Sequence, residues 1–202
     1  MSRMCAAVVA MIAVLAIVGC DRGEPVVEPS RYVPPTRPSP TVDPPVYDSS
    51  LVDLCVDTDL ALIADLALTI DKRRPDHPSG AEGPYCAFLM HNHADQPSNL
   101  VVHVSTPDTD DEARRVFNAV KITSSMTTEG PVTSLPIEAL GRTNRSEYRG
   151  YKAAEYKIIA IDRNLVVEVF LSIGEDGYHP KADLKRRVEA LTRSTIALVK
   201  RR

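Results

Sequence analysis

YKAAEYKIIAIDRNLVVEVFLSI, residues 151–173 of this 202-residue chain, contains the clearest structural pattern in the sequence. Two runs rich in aliphatic residues, 151–161 and 165–173, flank Asp162-Arg163-Asn164. Asn tolerates the left-handed backbone conformation of a tight turn, so we predict a β-hairpin with a three-residue turn and Asn164 in that role. The second run alternates, which is typical of an antiparallel strand with one face in a core. That apolar face consists of Leu165, Val167, Val169, Leu171 and Ile173.

Outward from the hairpin, periodicity predicts three helices and two more strands. The last helix begins near Lys181 and carries an apolar stripe. Upstream, 127–150 is predicted to be mostly loop, and Thr109-Asp110-Asp111-Glu112 is a capping box that begins a helix ending near Ser124. The strands are 85–90 and 99–106. The first helix is expected to begin after Thr58 as N-cap and to end at 71–75.

These elements predict an α+β fold, in which two or three helices cover an antiparallel sheet of about four or five strands. The composition, 44% apolar and 25% charged, is typical of a globular domain. The formal net charge of −3 gives no general attraction to nucleic acid, and none is expected as a partner.

The N-terminus has the pattern of an export signal. Arg3 precedes an apolar run from Met4 through Val18, which is short for a membrane span and normal for a signal peptide. The run ends in Val18-Gly19-Cys20, which resembles a bacterial lipobox. By that resemblance, residues 1–19 are cleaved and Cys20 carries the lipid; an uncleaved anchor is the alternative. We therefore expect a lipid-anchored protein on the extracytoplasmic face of the cell membrane.

Residues 20–50 form the predicted tether. Half of the 16 prolines lie here, and proline removes backbone donors, so neither helix nor sheet can propagate. A semi-rigid spacer is the expected role, with a proline-rich recognition segment around Pro35–Pro38 as the alternative. The folded domain is then expected over 51–202.

Two cysteines, Cys55 and Cys86, remain after export. An exported chain meets an oxidising compartment, where a remaining pair usually forms a disulfide. A redox-active dithiol is the alternative, but such pairs normally use the CxxC spacing. We predict a structural disulfide.

Several of these features together resemble the DUF3558 family of actinobacterial lipoproteins: the lipobox, the tether, Leu54-Cys55 before a helix, and Tyr85-Cys86-Ala87-Phe88 entering a strand. The family often has Trp where this chain has Phe88. Related extracytoplasmic domains include sensor domains of mycobacterial receptor kinases, so the resemblance implies binding and not catalysis. Lipoproteins with a PsbP/Mog1-like sandwich share the order of layers and are the second resemblance.

His91-Asn92-His93 is the strongest metal candidate, because alternate strand residues face the same side. A site needs further ligands, for which His77, His103 and Asp95 are available. A polar hairpin turn is the alternative and the preferred interpretation, so no metal site is predicted.

A basic surface is the second candidate site. Its members are Arg142, Arg145 and Arg149, with Lys152, in the segment before the hairpin, and Arg186 and Arg193, with Lys200, on the last helix. Such a surface suits anionic head groups or cell-wall polymers. An ordinary solvated helix face is the alternative.

The sequence contains no recognised catalytic motif, Gly-rich phosphate loop or cofactor motif, so no enzyme activity and no cofactor are predicted. The favoured hypothesis is a noncatalytic envelope lipoprotein that binds a ligand or partner. A pocket between helix and sheet would favour a ligand. A structural or protein-interaction role is the alternative, and a metal-dependent hydrolase is a weaker one.

Overall fold

The computed structural model describes residues 46–76, 82–148 and 150–201. The predicted leader, Cys20 and most of the predicted tether lie outside these residues. The described part is α+β: a seven-stranded antiparallel sheet carries helices on its two faces. No helix in this part is long and apolar enough to cross a membrane.

The described part of the chain contains thirteen helices and strands. They are β1 Tyr47–Asp48, α1 Leu54–Asp57, a 3-10 helix Leu60–Leu66, β2 Thr69–Arg74, β3 Tyr85–His91, β4 Pro97–Ser105, α2 Asp110–Thr123, β5 Thr127–Pro131, β6 Glu138–Tyr148, β7 Tyr151–Asp162, β8 Leu165–Glu175, α3 Lys181–Leu198 and β9 Lys200–Arg201. The sheet order is β2-β3-β4-β8-β7-β6-β5, and β1 pairs separately with β9.

The predicted hairpin is present as β7 and β8, with a shorter turn than expected. Asp162 pairs with Leu165, so the turn has two central residues and not three. The left-handed residue is Arg163, at φ 54°, and not Asn164. A positive φ at the first central residue lets the turn follow the twist of the two strands.

Asn164 instead joins the turn to the beginning of the folded part. Its Oδ1 accepts from the backbone N–H groups of Val46 and Tyr47 at 3.0 and 2.8 Å, and its Nδ2 donates to the carbonyls of Tyr47 and Pro107 at 3.0 Å each. Tyr47 is 4% exposed. The folded part therefore includes residues before Leu51, where the sequence predicted it to begin.

The two faces of the sheet carry separate cores. On one face, side chains such as Phe88, Leu100 and Val167 pack against α3 through Leu184 and its apolar stripe. On the other face, α2 covers only part of the sheet, through a smaller cluster of five buried residues. That cluster consists of Ala113, Phe117, Ile159, Ile161 and Val166.

The sheet is larger than the four or five strands predicted, because the 127–150 segment contains β5 and β6 and is not mostly loop. β6 pairs with β7 over eleven residues, from Glu138↔Ile161 to Tyr148↔Tyr151. Its sequence, EALGRTNRSEY, contains almost no aliphatic alternation. Backbone hydrogen bonds to a strongly apolar neighbour hold a strand that its own side chains do not indicate.

The first predicted helix is also different. The α-helix is the single turn Leu54–Asp57, capped by Asp53, and Thr58 ends it: the Thr58 hydroxyl donates to the Leu54 carbonyl at 2.5 Å. A 3-10 helix follows, and residues 69–74 form β2 where the sequence predicted a helix end. All six β2 residues are exposed, and an exposed, charged edge strand lacks the apolar alternation that sequence patterns detect.

Candidate functional site: a groove between a helix and the sheet

The partial cover that α2 gives the sheet leaves a groove of about 920 Å³ beside the helix. One wall is α2, and the floor is the outward face of β3, β4 and β8. The lining residues are Glu82, Tyr85, Val101, His103, Ser105, Thr106, Pro107, Asp108, Glu112, Val116, Ala119, Val120, Thr123 and Glu168.

Local chemistry fixes both ends of α2. At the start, the Thr109 side chain accepts from the Glu112 N–H at 3.1 Å, as the capping box predicts. At the end, the Arg142 guanidinium donates to the carbonyls of Ser124 at 2.8 Å, Met126 at 3.3 Å and Lys121. Terminal helix carbonyls lack partners within the helix, so this arginine completes the helix end.

Arg142 is therefore a support for the groove wall and not part of a solvent-facing basic surface. It is 7% exposed. The other predicted basic residues lie elsewhere: Arg145 stacks on the Tyr178 ring at 5.0 Å, Arg186 pairs with Asp183, and Arg193 donates to the Ser134 carbonyl at 3.1 Å. Lys152 lies 5.6 Å from the Tyr178 ring. Arg149 and the Lys200 side chain lie outside the described residues.

Arg142 and Arg145 are three residues apart on β6 and point to opposite faces of the sheet, since strand residues alternate. The sequence placed these arginines together on one surface, and β6 separates them.

A row of polar side chains crosses the floor of the groove. Tyr85 pairs with His103 across β3 and β4, and His103 pairs with Glu168 across β4 and β8. The Tyr85 and His103 rings meet edge to face, with centroids 6.1 Å apart, and His103 Nε2 lies 3.0 Å from the Glu82 carbonyl oxygen. Polar groups converging in a half-apolar groove are a common feature of ligand sites.

Burial raises the pKa of the Tyr85 phenol above its ordinary value, the Glu168 carboxylate raises it further, and Arg74 opposes both. The phenol is therefore a hydrogen-bond donor across the physiological pH range.

A smaller recess of about 330 Å³ adjoins the groove and shares three lining residues with it, Val101, Thr123 and Glu168. Lys157 Nζ lies 2.5 Å from Glu168 Oε1 in this recess, and both side chains are largely buried, at 16% and 18% exposure. Phe170 lies under the Lys157 ammonium, 5.9 Å from it.

The two histidines of the metal candidate do not converge. His91 ends β3 and its Nδ1 lies 2.8 Å from Asp71 Oδ1, whereas His93 lies in the exposed turn that follows. His77 lies outside the described residues. Within 46–76, 82–148 and 150–201, no group of three or more His, Cys, Asp or Glu side chains is arranged to hold a metal ion.

The Asp71 carboxylate raises the pKa of His91 above its ordinary value of about 6.5, chiefly through their hydrogen bond. A raised pKa means that this pairing stabilises the fold at low pH, and that the stabilisation is lost as pH rises through the folded-state pKa. We expect Asp71→Asn to lower the pH midpoint of the His91 imidazole in an NMR titration. An unchanged midpoint would show that the pair does not form in solution.

The predicted disulfide is present. Cys55 in α1 and Cys86 in β3 are joined, with Cα atoms 5.2 Å apart, and Cys86 is fully buried. Arg73 Nη1 donates to the Cys55 carbonyl at 2.6 Å, so β2 contacts the same point. The disulfide ties the short N-terminal helix to the sheet on the face opposite the groove, beside Phe88.

Comparison with known proteins gives one structure to report. No family model and no curated protein matches the chain. The extracellular domain of PknH from Mycobacterium tuberculosis is similar at 13% sequence identity, over 78% of this chain and 81% of that one, with a TM-score of 0.35.

The sequence predicted α2 and the strand that is β4 but not the groove between them. A signal for the groove was present in β4. Val101 and His103 alternate with the residues of the core face, so the second face of this strand carries an apolar residue and a titratable one. α2 packs mainly on β7 and β8, so that face of β4 stays open beside the helix.

Proposed function

We propose that this chain is a lipid-anchored extracytoplasmic protein that binds a small ligand, without catalysis, in the groove between α2 and the sheet. The groove itself is the observation that carries the proposal. At about 920 Å³ it lies near the upper end of the range of about 300–1,000 Å³ that small-molecule sites occupy.

The location is supported by two independent features. The sequence has a leader that ends in a lipobox-like Gly19-Cys20, and the folded part contains the Cys55–Cys86 disulfide. Disulfides form and persist mainly in oxidising compartments. A lipidated cysteine followed by a proline-rich segment would hold the groove away from the membrane surface.

The binding role, as opposed to catalysis, is supported by the polar groups that line the groove. Glu168 is paired with Lys157, and the His103 ring nitrogen meets a backbone carbonyl. These contacts orient the side chains as a fixed polar surface for recognition.

An alternative is a protein-interaction component of the cell envelope. Leu51 and Val56 favour it, because these apolar side chains are 83% and 69% exposed near the start of the folded part. A contiguous exposed apolar patch often marks a surface that binds a partner.

The proposal is tested by native mass spectrometry of the full chain purified from its own envelope. We expect a co-purified molecule that is lost on denaturation and is absent from Ala119→Trp, which fills the groove from its α2 wall. Asn118→Trp is the matched control: Asn118 directly precedes Ala119 in the helix, is also exposed, and does not line the groove. A ligand retained by Ala119→Trp, or the absence of any ligand, would contradict the proposal.

A further inference from the structure

We infer that the ligand of the groove is a small amphiphilic cation, an apolar body that carries an ammonium group. The inference rests on the proposed ligand-binding function and adds the chemical class of the ligand. It is carried by the charges and the apolar side chains that line the groove.

Apart from His103, the acidic and basic side chains that line the groove are all carboxylates, and the one cation that acts on its Tyr85 phenol, Arg74, is not among the lining residues. Four carboxylates contribute, and no Lys or Arg does so among the residues that the structure describes. The adjoining recess adds Glu155 and one cation, Lys157, which pairs with Glu168. At the rim, Arg115 lies 3.6 Å from Glu112. The four carboxylates of the groove belong to Glu82, Asp108, Glu112 and Glu168.

The α2 N-terminus does not reverse this balance. A helix N-terminus corresponds to about half a positive charge. The first turn of α2 carries three carboxylates, those of Asp110, Asp111 and Glu112, and the Asp110 carboxylate also pairs with Arg163 at 2.9 Å. The local charge therefore remains negative, and a phosphate or carboxylate ligand would be repelled.

Apolar side chains line the groove on both its helix wall and its sheet floor. Val116, Ala119 and Val120 come from α2, and Val101 comes from the sheet. Val116 and Val120 are half-buried and Ala119 is exposed, so an apolar ligand body would cover surface that water now contacts.

At the edge of this apolar zone, the Tyr85 ring and the carboxylates offer the interactions that a cation prefers. An ammonium group is attracted both by the face of an aromatic ring and by carboxylates nearby. An amphiphile whose apolar part lies along α2 and whose ammonium lies toward Tyr85 and Asp108 satisfies both ends of the groove.

The test uses three amphiphiles with one chain length and different head groups: octyltrimethylammonium, octyl glucoside and octyl sulfate. Each is titrated below its micelle concentration into the full-length chain, by calorimetry and by NMR of the α2 and β4 amides. We expect the cation to bind at least about tenfold more tightly than the sulfate, with the preference reduced by salt. The Asp108→Asn variant is expected to weaken cation binding about threefold to fivefold.

Glu147→Gln is the matched control, because Glu147 is also an exposed carboxylate but lies near the end of β6 and does not line the groove. It should leave cation binding unchanged. Equal binding of all three head groups, or tighter binding of the sulfate, would overturn the cation inference and leave the ligand groove in place. No binding of any amphiphile, with no shift of the α2 amides, would overturn the proposed function as well.

Discussion

Replacing Phe117 with Ala is expected to lower the free energy of unfolding by about 3–5 kcal/mol, the usual cost of removing a buried aromatic side chain. Phe117 is 1% exposed and is the largest side chain in the small cluster beneath α2. The Arg114 guanidinium and the Lys121 ammonium lie 5.4 and 5.3 Å from its ring. The truncation therefore removes the main contact that holds the groove wall on the sheet.

Urea denaturation of the full chain measures this effect, and Phe117→Leu is the control. Leucine keeps an apolar side chain in the cluster, so its cost should be smaller, and ligand binding in the groove should persist. A loss below about 1 kcal/mol for Phe117→Ala would show that α2 is held mainly by its ends, at Thr109 and Arg142.

Removing the Cys55–Cys86 disulfide is expected to lower the free energy of unfolding by about 3–4 kcal/mol. The two cysteines are 31 positions apart, and the loop that they close contains most of α1, the 3-10 helix and β2. The estimate follows from the chain entropy that such a loop gains on opening. For a chain of this size the melting temperature should fall by about 6–16 °C. The Cys55→Ala/Cys86→Ala double variant, measured by calorimetry, tests this.

Chemical reduction supplies the comparison for that variant. Treating the wild-type chain with a reductant should produce a similar fall in melting temperature, and the double variant should not respond to reductant at all. A reductant-insensitive wild-type chain would show that the two cysteines are not joined in the isolated protein.

A buried arginine, Arg187, joins α3 to the 3-10 helix. Arg187 is 7% exposed and donates to Asp65 at the short distances of a bidentate pair, with its Nε on Asp183 Oδ2 at 2.5 Å. Burial opposes ionisation of the Asp183 carboxyl, but hydrogen bonds from Arg187, His179 and Arg186 outweigh it and hold its pKa below the ordinary range. The hydrogen bond from Arg187 also lowers the pKa of the Asp65 carboxyl. These carboxylates therefore stabilise the fold above the unfolded-state pKa of about 3.9, and the contribution is lost as pH falls from there through their lower folded-state pKa values.

The fold was predictable where side-chain pattern and backbone structure agree. The hairpin at 151–175, the capping box at Thr109 and the apolar stripe of α3 all depend on local signals that the sequence contains. β6 and β2 were not predictable in the same way, because the first is polar and held by its neighbour β7, and the second is exposed along its whole length.

The candidate site depends on long-range placement, which no local pattern contains. Arg142 is one residue of a basic cluster in the sequence, yet its contacts at Lys121 and Ser124 depend on β6 lying beside the end of α2. His103 and Glu168 are 65 positions apart and become neighbours through strand pairing. The disulfide was predictable because the leader implies an oxidising compartment. That prediction did not depend on the geometry of the two cysteines.

Occupancy of the groove by a ligand is tested most directly by hydrogen exchange. The full chain as isolated from its envelope is compared with the same chain after denaturation and refolding. We expect slower exchange in the isolated chain, confined to α2 and to the β4 segment that faces it. Identical exchange in the two samples, or protection confined to residues near Leu51 and Val56, would contradict the account.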